Sequence, residues 1–262
     1  MPPSSPSTLR TADNVLWFVP NLIGYSRVAL ALSSFAVMLL HPKGDDRYWC
    51  GLALILYFSS FVGDLVDGWA ARKLNQTSQF GGVLDMVTDR CATLGLLQVL
   101  TAEYFAKQRQ QPEGAGSMIS KLLPPAFVSL ALLDISSHWC QMYATLTCSD
   151  GETPAHHKSA EANQGRNFLV QWYYGYYWFF AYLCVGAELT YVLMYLNLHF
   201  RTTEPKEAHD IINAVIQWGL VICVPACAAK QVVNLAQLTS SFRAIAQHDA
   251  DRYNQQETKK GR

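Results

Sequence analysis

Apolar residues in this chain fall in long blocks rather than in short periodic faces. Six blocks, at 15–40, 48–72, 81–106, 120–146, 167–198 and 210–238, each approach or exceed the ~20 residues a helix needs to cross a bilayer. The stretches between them, HPKGDD, KQRQQPEGAGSM, CSDGETPAHHKSAEANQG and RTTEPKEAHD, carry the Pro, Gly and charge of loops. The first block leaves room for a short interfacial helix, ADNVLWFV, ahead of Pro20. A missing N–H costs nothing in a first helical turn, so Pro20 opens the following helix. Beyond residue 239 the chain turns polar, as expected of a helical extension that frays into a disordered tail. The expected fold is thus an all-α integral membrane protein with six transmembrane helices preceded by a short interfacial helix. Its membrane domain would cover 1–240 and its polar C-terminal tail 241–262. No internal repeat is apparent.

Composition supports a membrane setting. Only 15% of the 262 residues are charged, against roughly 25% in soluble domains. Twenty basic and twenty acidic residues balance to zero, so no basic surface for nucleic acid is indicated. The seven cysteines form no CxxC pair and mostly lie inside apolar blocks, where they read as small buried residues. The polar start MPPSSPSTLR shows no cleavable signal, so the first helix is expected to be retained. Six spans put both termini on one side. Lys and Arg number ten on that side and seven on the other, which places the termini in the cytosol.

Chemistry enters at the second and third blocks. The run GDLVDGWAARKLNQTSQFGGVLDMVTDR, residues 63–90, sets Asp64, Asp67, Asp85 and Asp89 into the ends of two apolar segments. Helical spacing points Asp64 and Asp67 from one face and Asp85 and Asp89 from another, so two helices can present four carboxylates to one another. An ionised Asp inside a membrane helix costs roughly 2.5 to 3.5 kcal/mol on insertion scales, and neighbouring carboxylates repel, so cations must neutralise the set. Carboxylates without nearby His or Cys select Mg²⁺ or Mn²⁺, with Ca²⁺ as competitor, and four of them can hold two ions. Paired divalent ions imply a phosphate substrate and in-line displacement at phosphorus. Gly68 and Gly81 allow close backbone approach to a ligand, Ala71 keeps the facing helix near, and Arg72 offers a planar fork to a phosphate. Asp85 and Asp89 are expected in the first turns of their helix, where its dipole favours negative charge. Arg27 is expensive inside the first span unless a diphosphate or a motif carboxylate pairs with it. The bland alternative for the whole set is an inter-helix polar network.

Residues 64 to 89 read D-x2-D-G-x2-A-R-x8-G-x3-D-x3-D, which resembles the signature of the CDP-alcohol phosphotransferase family without a departure. Within that family the chain is similar to the eukaryotic members that use inositol, through FVPNLIGYSRVALA, LNQTSQFGGVLDMVTDRC, LLDISSHW, HKS and AYLCVGAELTYVLMYL. The resemblance implies six transmembrane helices, a homodimer and a cytosol-facing cavity with two divalent ions, in the endoplasmic reticulum membrane. It implies that Asp64, Asp67 and Asp85 ligate metal, and that Asp89 touches the metal and acts as general base. Gly68, Ala71, Arg72 and Gly81 would line the cytidine diphosphate pocket, with Asn21 and Arg27 as neighbours. The expected substrates are CDP-diacylglycerol and myo-inositol, giving phosphatidylinositol and CMP.

Other polar positions have two readings each. Asp134 and His138 share a helical face, and either contact inositol or bond one helix to another. Glu188, deep in an apolar helix, needs a partner such as His or Arg, or a substrate. His157 and Lys158 either reach the site's rim or lie in a solvated loop, and WYYGYYWFFAY reads as an aromatic belt. Three other functions compete. The same chemistry could use glycerol 3-phosphate, serine or an aminoalcohol. Membrane prenyl transfer also uses Asp-rich motifs, but its two acidic motifs lie much further apart. A cation channel would leave Arg72, Gly68 and Gly81 without a role.

Overall fold

The computed structural model describes residues 11–40, 46–112, 117–148, 176–199 and 207–260. These form helices α1 (Ala12–Leu16), α2 (Val19–Leu40), α3 (Asp46–Lys73), α4 (Gln79–Arg109), α5 (Met118–Thr147), α6 (Tyr177–His199) and α7 (Glu207–Lys260). No strand occurs among the described residues. The short α1 is capped by Thr11, whose hydroxyl accepts from the Asn14 N–H. Pro20 sits in the first turn of α2, where its missing donor is harmless.

Five described helices are long and apolar enough to cross a membrane: Val19–Leu40, Tyr48–Lys73, Met118–Thr147, Trp178–His199 and Asp210–Lys260. The third expected span is a helix too, but α4 carries Asp85, Asp89, Arg90, Glu103, Lys107 and Arg109 and falls short of that apolarity. The surface is inside-out for a water-soluble protein. Large apolar side chains such as Ile55, Leu132, Val221 and Trp178 are 63% exposed or more, whereas Asn21, Arg27, Gln141, Lys230, Asn234 and Gln237 are buried. Apolar groups turned outward and polar groups turned inward are stable only in lipid. The chain is therefore a multi-pass integral membrane protein. The polar segment after 240 does not leave the helix; α7 continues through it to Lys260. Its content of Ala, Gln, Arg, Glu and Lys, all good helix formers, supports that continuity. Cys50, Cys223 and Cys227 are buried as expected, but Cys91 is exposed.

The chain divides into two compact units, one ending at Ala92 and the other beginning at Thr93, within α4. In the first unit α2 packs along α3. The Ser34 hydroxyl donates to the Ala53 carbonyl at 2.7 Å, the Ser60 hydroxyl to the Arg27 carbonyl at 2.9 Å, and Phe35 meets Tyr57. Such interhelical bonds contribute about 0.6 kcal/mol each in a membrane. The turn from α3 to α4 follows from local chemistry. Asn75 takes the left-handed conformation at φ 52°, a role that Asn fills with less strain than branched residues. The Gln76 N–H reaches the Ala71 carbonyl and the Asn75 N–H the Arg72 carbonyl, which satisfies the end of α3. Ser78 then caps α4 by accepting from the Gly81 N–H at 3.0 Å. The Gln76 side chain ties this turn to the start of α2 by accepting from the Val19 N–H.

In the second unit α6 and α7 pack around Leu183, Ala226 and Val233. Gly186 lets the two helices approach, because a Cβ there would lie 2.6 Å from that of Ala226. Tyr104 on α4 meets Phe127 on α5. Pro124, Pro125 and Pro225 lie inside helices, which membrane helices tolerate where neighbouring groups re-satisfy the backbone.

Candidate active site

The short capped turn places the end of α3 beside the beginning of α4, and so brings the two aspartate pairs together. Ligand oxygens of Asp64, Asp67 and Asp85 lie within 4.8 Å of one another. Arg27 reaches the set from α2. Its Nη1 lies 3.1 Å from Asp64 Oδ1, 2.7 Å from Asp67 Oδ2 and 3.2 Å from Asp85 Oδ1, and its Nη2 lies 2.6 Å from Asp89 Oδ1. All four motif aspartates therefore converge on one positive centre, as the pairing of spacings requires. Arg27 is 3% exposed.

The convergence suits a metal ion. An all-carboxylate donor set in which three oxygens can share one small cation suits Mg²⁺ or Mn²⁺ by hardness. The helix dipole has a smaller part than expected. α4 starts at Gln79 and has no acidic residue in its first turn, so Asp85 and Asp89 lie in later turns, where the dipole's effect has faded. Opposite charge compensates instead, from Arg27 at all four acids and from Arg90, whose Nη2 lies 3.8 Å from Asp89 Oδ2.

The flanking positions fall around this centre. Asn21, buried on α2, donates to the Val15 carbonyl, and its Oδ1 would be 3.1 Å from a Cβ added at Gly81. The absent side chain at Gly81 thus brings α4 against Asn21. Gly68 lies under the Arg72 guanidinium, with 3.6 Å between its would-be Cβ and Nη1. Arg72 is exposed, so its fork is accessible to a ligand, and Ala71 beside it is half-buried.

The other polar positions lie in the second unit. Asp134 and His138 are near one another, but the imidazole does not make its shortest contact with the carboxylate. His138 Nδ1 is 2.9 Å from the Asp134 backbone carbonyl and 3.7 Å from Asp134 Oδ1. The Asp134 carboxylate accepts from Asn234 Nδ2 at 3.3 Å, and Lys230 bridges Asn234 Oδ1 at 2.7 Å and His138 Nε2 at 3.5 Å. This is a buried bridge between α5 and α7. Periodicity does not single out Lys230 or Asn234; the signal for Lys230 is a lone Lys within CVPACAAKQVVNLAQL, a rare intramembrane charge. Glu188 accepts from the Thr93 hydroxyl. Lys158, with His157, lies outside the described residues.

Residues 17–148, which include all four aspartates, match the family model described as CDP-alcohol phosphatidyltransferase. A relative from Schizosaccharomyces pombe, named CDP-diacylglycerol–inositol 3-phosphatidyltransferase, is 35% identical over 249 residues, covering 91% of this chain and 92% of its own. Proteins of the same name from Saccharomyces cerevisiae and Homo sapiens are 36% and 31% identical. They cover 94% and 91% of this chain, and 93% and 95% of their own. No solved structure matches the chain. With the family model spanning the aspartate site and relatives above 30% identity spanning nine-tenths of the sequence, the chain belongs to the CDP-alcohol phosphatidyltransferase family.

Proposed function

We propose that this protein is a phosphatidylinositol synthase, which transfers the phosphatidyl group of CDP-diacylglycerol to myo-inositol and releases CMP. The observation that carries the reading is the convergence of Asp64, Asp67, Asp85 and Asp89 on one cationic group, in a chain whose near-full-length relatives bear that enzyme's name. The quartet would hold two divalent ions, Mg²⁺ or Mn²⁺. Bound there, such ions neutralise diphosphate oxygens and stabilise the charge that develops on the leaving group.

The chain's own residues supply the remainder. Arg72 grips a phosphate through its planar fork, and Gly68 and Ala71 let the nucleotide lie against α3. Gly81, Asn21 and Arg27 are proposed as further neighbours of the cytidine diphosphate. Asp89 takes the proton from an inositol hydroxyl, whose oxygen attacks the lipid-side phosphorus as its bond to the CMP oxygen breaks. The assignment of Asp134, His138 and Lys158 to inositol rests on the sequence. So do a sixth span through α4, a homodimer, residence in the endoplasmic reticulum, and termini and site facing the cytosol.

The deciding experiment offers the purified, reconstituted protein CDP-diacylglycerol with Mn²⁺ or Mg²⁺, and inositol, serine and glycerol 3-phosphate in parallel. CMP release with inositol alone is the expected outcome, and chelation should abolish it reversibly. Release with serine or glycerol 3-phosphate but not inositol would replace the acceptor. Undiminished release in chelator would remove the metal reading.

A further inference from the structure

One guanidinium serves four carboxylates from two helices, within 2.6 to 3.2 Å of each. The inner Nε of Arg27, also buried, has no hydrogen-bond partner. A guanidinium placed for hydrogen bonding alone satisfies its donors in a forked pair with one or two acids, and an orphaned buried donor requires an explanation. Here that geometry is surrendered so that the positive charge sits where the four acids converge.

The seat is made by a residue outside the motif. A Cβ at Gly63 would lie 2.7 Å from Arg27 Cγ and 3.2 Å from Cδ, so only a residue without a side chain lets the arginine stem lie against α3. Ser60, one turn earlier, fixes the same stretch of α2 by donating to the Arg27 carbonyl.

We propose that Arg27, seated by Gly63, is the resident counter-cation of the quartet, and that divalent ions enter by exchange with it at the same carboxylate oxygens. Asp64, Asp67 and Asp85 would hold such an ion, and its positive charge would stand close to Nη1, where a low dielectric magnifies repulsion. The flexible arginine stem then swings the guanidinium off the carboxylates, and its spare Nε–H becomes available to an anionic oxygen. Gly63 is accordingly a positioning residue, acting through Arg27.

The inference rests on the reading that the quartet holds divalent ions, and the test separates the two. Binding of Mn²⁺ alone to the intact, detergent-solubilised protein is measured by electron paramagnetic resonance, and melting is followed in chelator and in excess Mn²⁺. Arg27→Gln should bind Mn²⁺ at least about tenfold more tightly than wild type, because a competing charge is gone. It should melt lower than wild type in chelator and regain the difference in Mn²⁺. Arg27→Lys, which keeps the charge, should stay near wild type. Gly63→Ala should shift both readouts toward those of Arg27→Gln and add little to them in the double variant. If Arg27→Gln survives purification only in Mn²⁺, competition against a chelator of known affinity yields the same constant. Equal or weaker Mn²⁺ binding by Arg27→Gln overturns the exchange. Asp85→Asn distinguishes the two failures: Mn²⁺ binding lost there but indifferent to Arg27 sinks only the exchange. Binding that Asp85→Asn leaves intact, or no binding by wild type, sinks the metal reading with it.

Discussion

Replacing Asp89 by Asn changes one proton-accepting oxygen and almost no volume, and so isolates the role of the base. The amide oxygen can still accept from Arg27 Nη2, which lies 2.6 Å from Asp89 Oδ1. The cluster of Asp64, Asp67 and Asp85 is untouched, with its ligand oxygens within 4.8 Å of one another. Removing one negative charge from the four that share Arg27 lessens repulsion within the set, at the cost of only a 3.8 Å contact from Asp89 Oδ2 to Arg90. The variant should therefore melt no lower than wild type in chelator. Positioned general bases contribute about 10²- to 10⁴-fold, so kcat should fall by that factor, or about 3 to 5 kcal/mol of barrier. KM for CDP-diacylglycerol should stay within about threefold, since most of the ligand set survives. CMP release from nanodiscs, titrated against the liponucleotide at saturating inositol and metal, gives both constants. A kcat within tenfold of wild type would refute the base, and a kcat loss accompanied by a lowered melting temperature would show a structural defect instead.

Arg72→Lys should raise KM for the liponucleotide about tenfold with a smaller change in kcat, because a point charge replaces a planar fork; an unchanged KM in the same titration counts against a phosphate contact. Gly186→Ala should cost about 1 to 3 kcal/mol in a detergent melt, since its Cβ meets the Cβ of Ala226 at 2.6 Å on a packed helix pair. Gly219→Ala should cost less, because its Cβ meets only the movable end of Leu193 at 2.8 Å, and the reverse order would show that the α6–α7 contact is misread. Asn75→Val should destabilise by about 1 to 2 kcal/mol where Asn75→Gly is neutral or better, given φ of 52°; equal melting temperatures for the two variants would exclude a left-handed turn at this position.

The aspartate site was legible because helical spacing and a short polar break between two apolar blocks together dictate which side chains face each other. Asp64 with Asp67 and Asp85 with Asp89 needed only period 3.6 to be paired. The break LNQTS then left the two helices no choice but to run side by side. The cost of an arginine inside the first span already pointed to a motif carboxylate as a partner of Arg27, which the ion pairs bear out, but spacing could not show that one guanidinium meets all four acids. Arg27 lies far away in sequence, and its contact with all four acids depends on how α2 crosses α3, which Gly63 and Ser60 set by contacts invisible to periodicity. The span count shows a related limit. Block length marked 81–106 as a crossing, yet the charges that make α4 chemically useful take away the apolarity that would identify it as one. Lys230 was overlooked for the opposite reason, since a single charge in a long apolar run leaves the average almost unchanged, although its burial forces it into the bridge with Asn234 and His138.

Charge within the site also constrains the order in which its occupants arrive. Counted as ionised, the four carboxylates outweigh Arg27 and Arg90, the latter 3.8 Å from Asp89 Oδ2, and leave the protein's own groups at a formal charge of minus two. A diphosphate brings further negative charge and is repelled by that set, the more strongly where lipid lowers the dielectric. Cations are therefore demanded by the protein's residues before any chemistry begins, and liponucleotide binding should depend on divalent metal rather than merely precede it. Arg72, exposed near the end of α3, is not consumed in this balance and stays available to the incoming phosphate. Arg27 becomes available only when ions have taken its place on the carboxylates. Arg27 and Arg72 are thus expected to have separable parts, the first responding to metal and the second to substrate. Variants at Arg27 should alter metal affinity, and variants at Arg72 should alter liponucleotide affinity at saturating metal. A liponucleotide that binds equally well in chelator would contradict the charge balance from which this order follows.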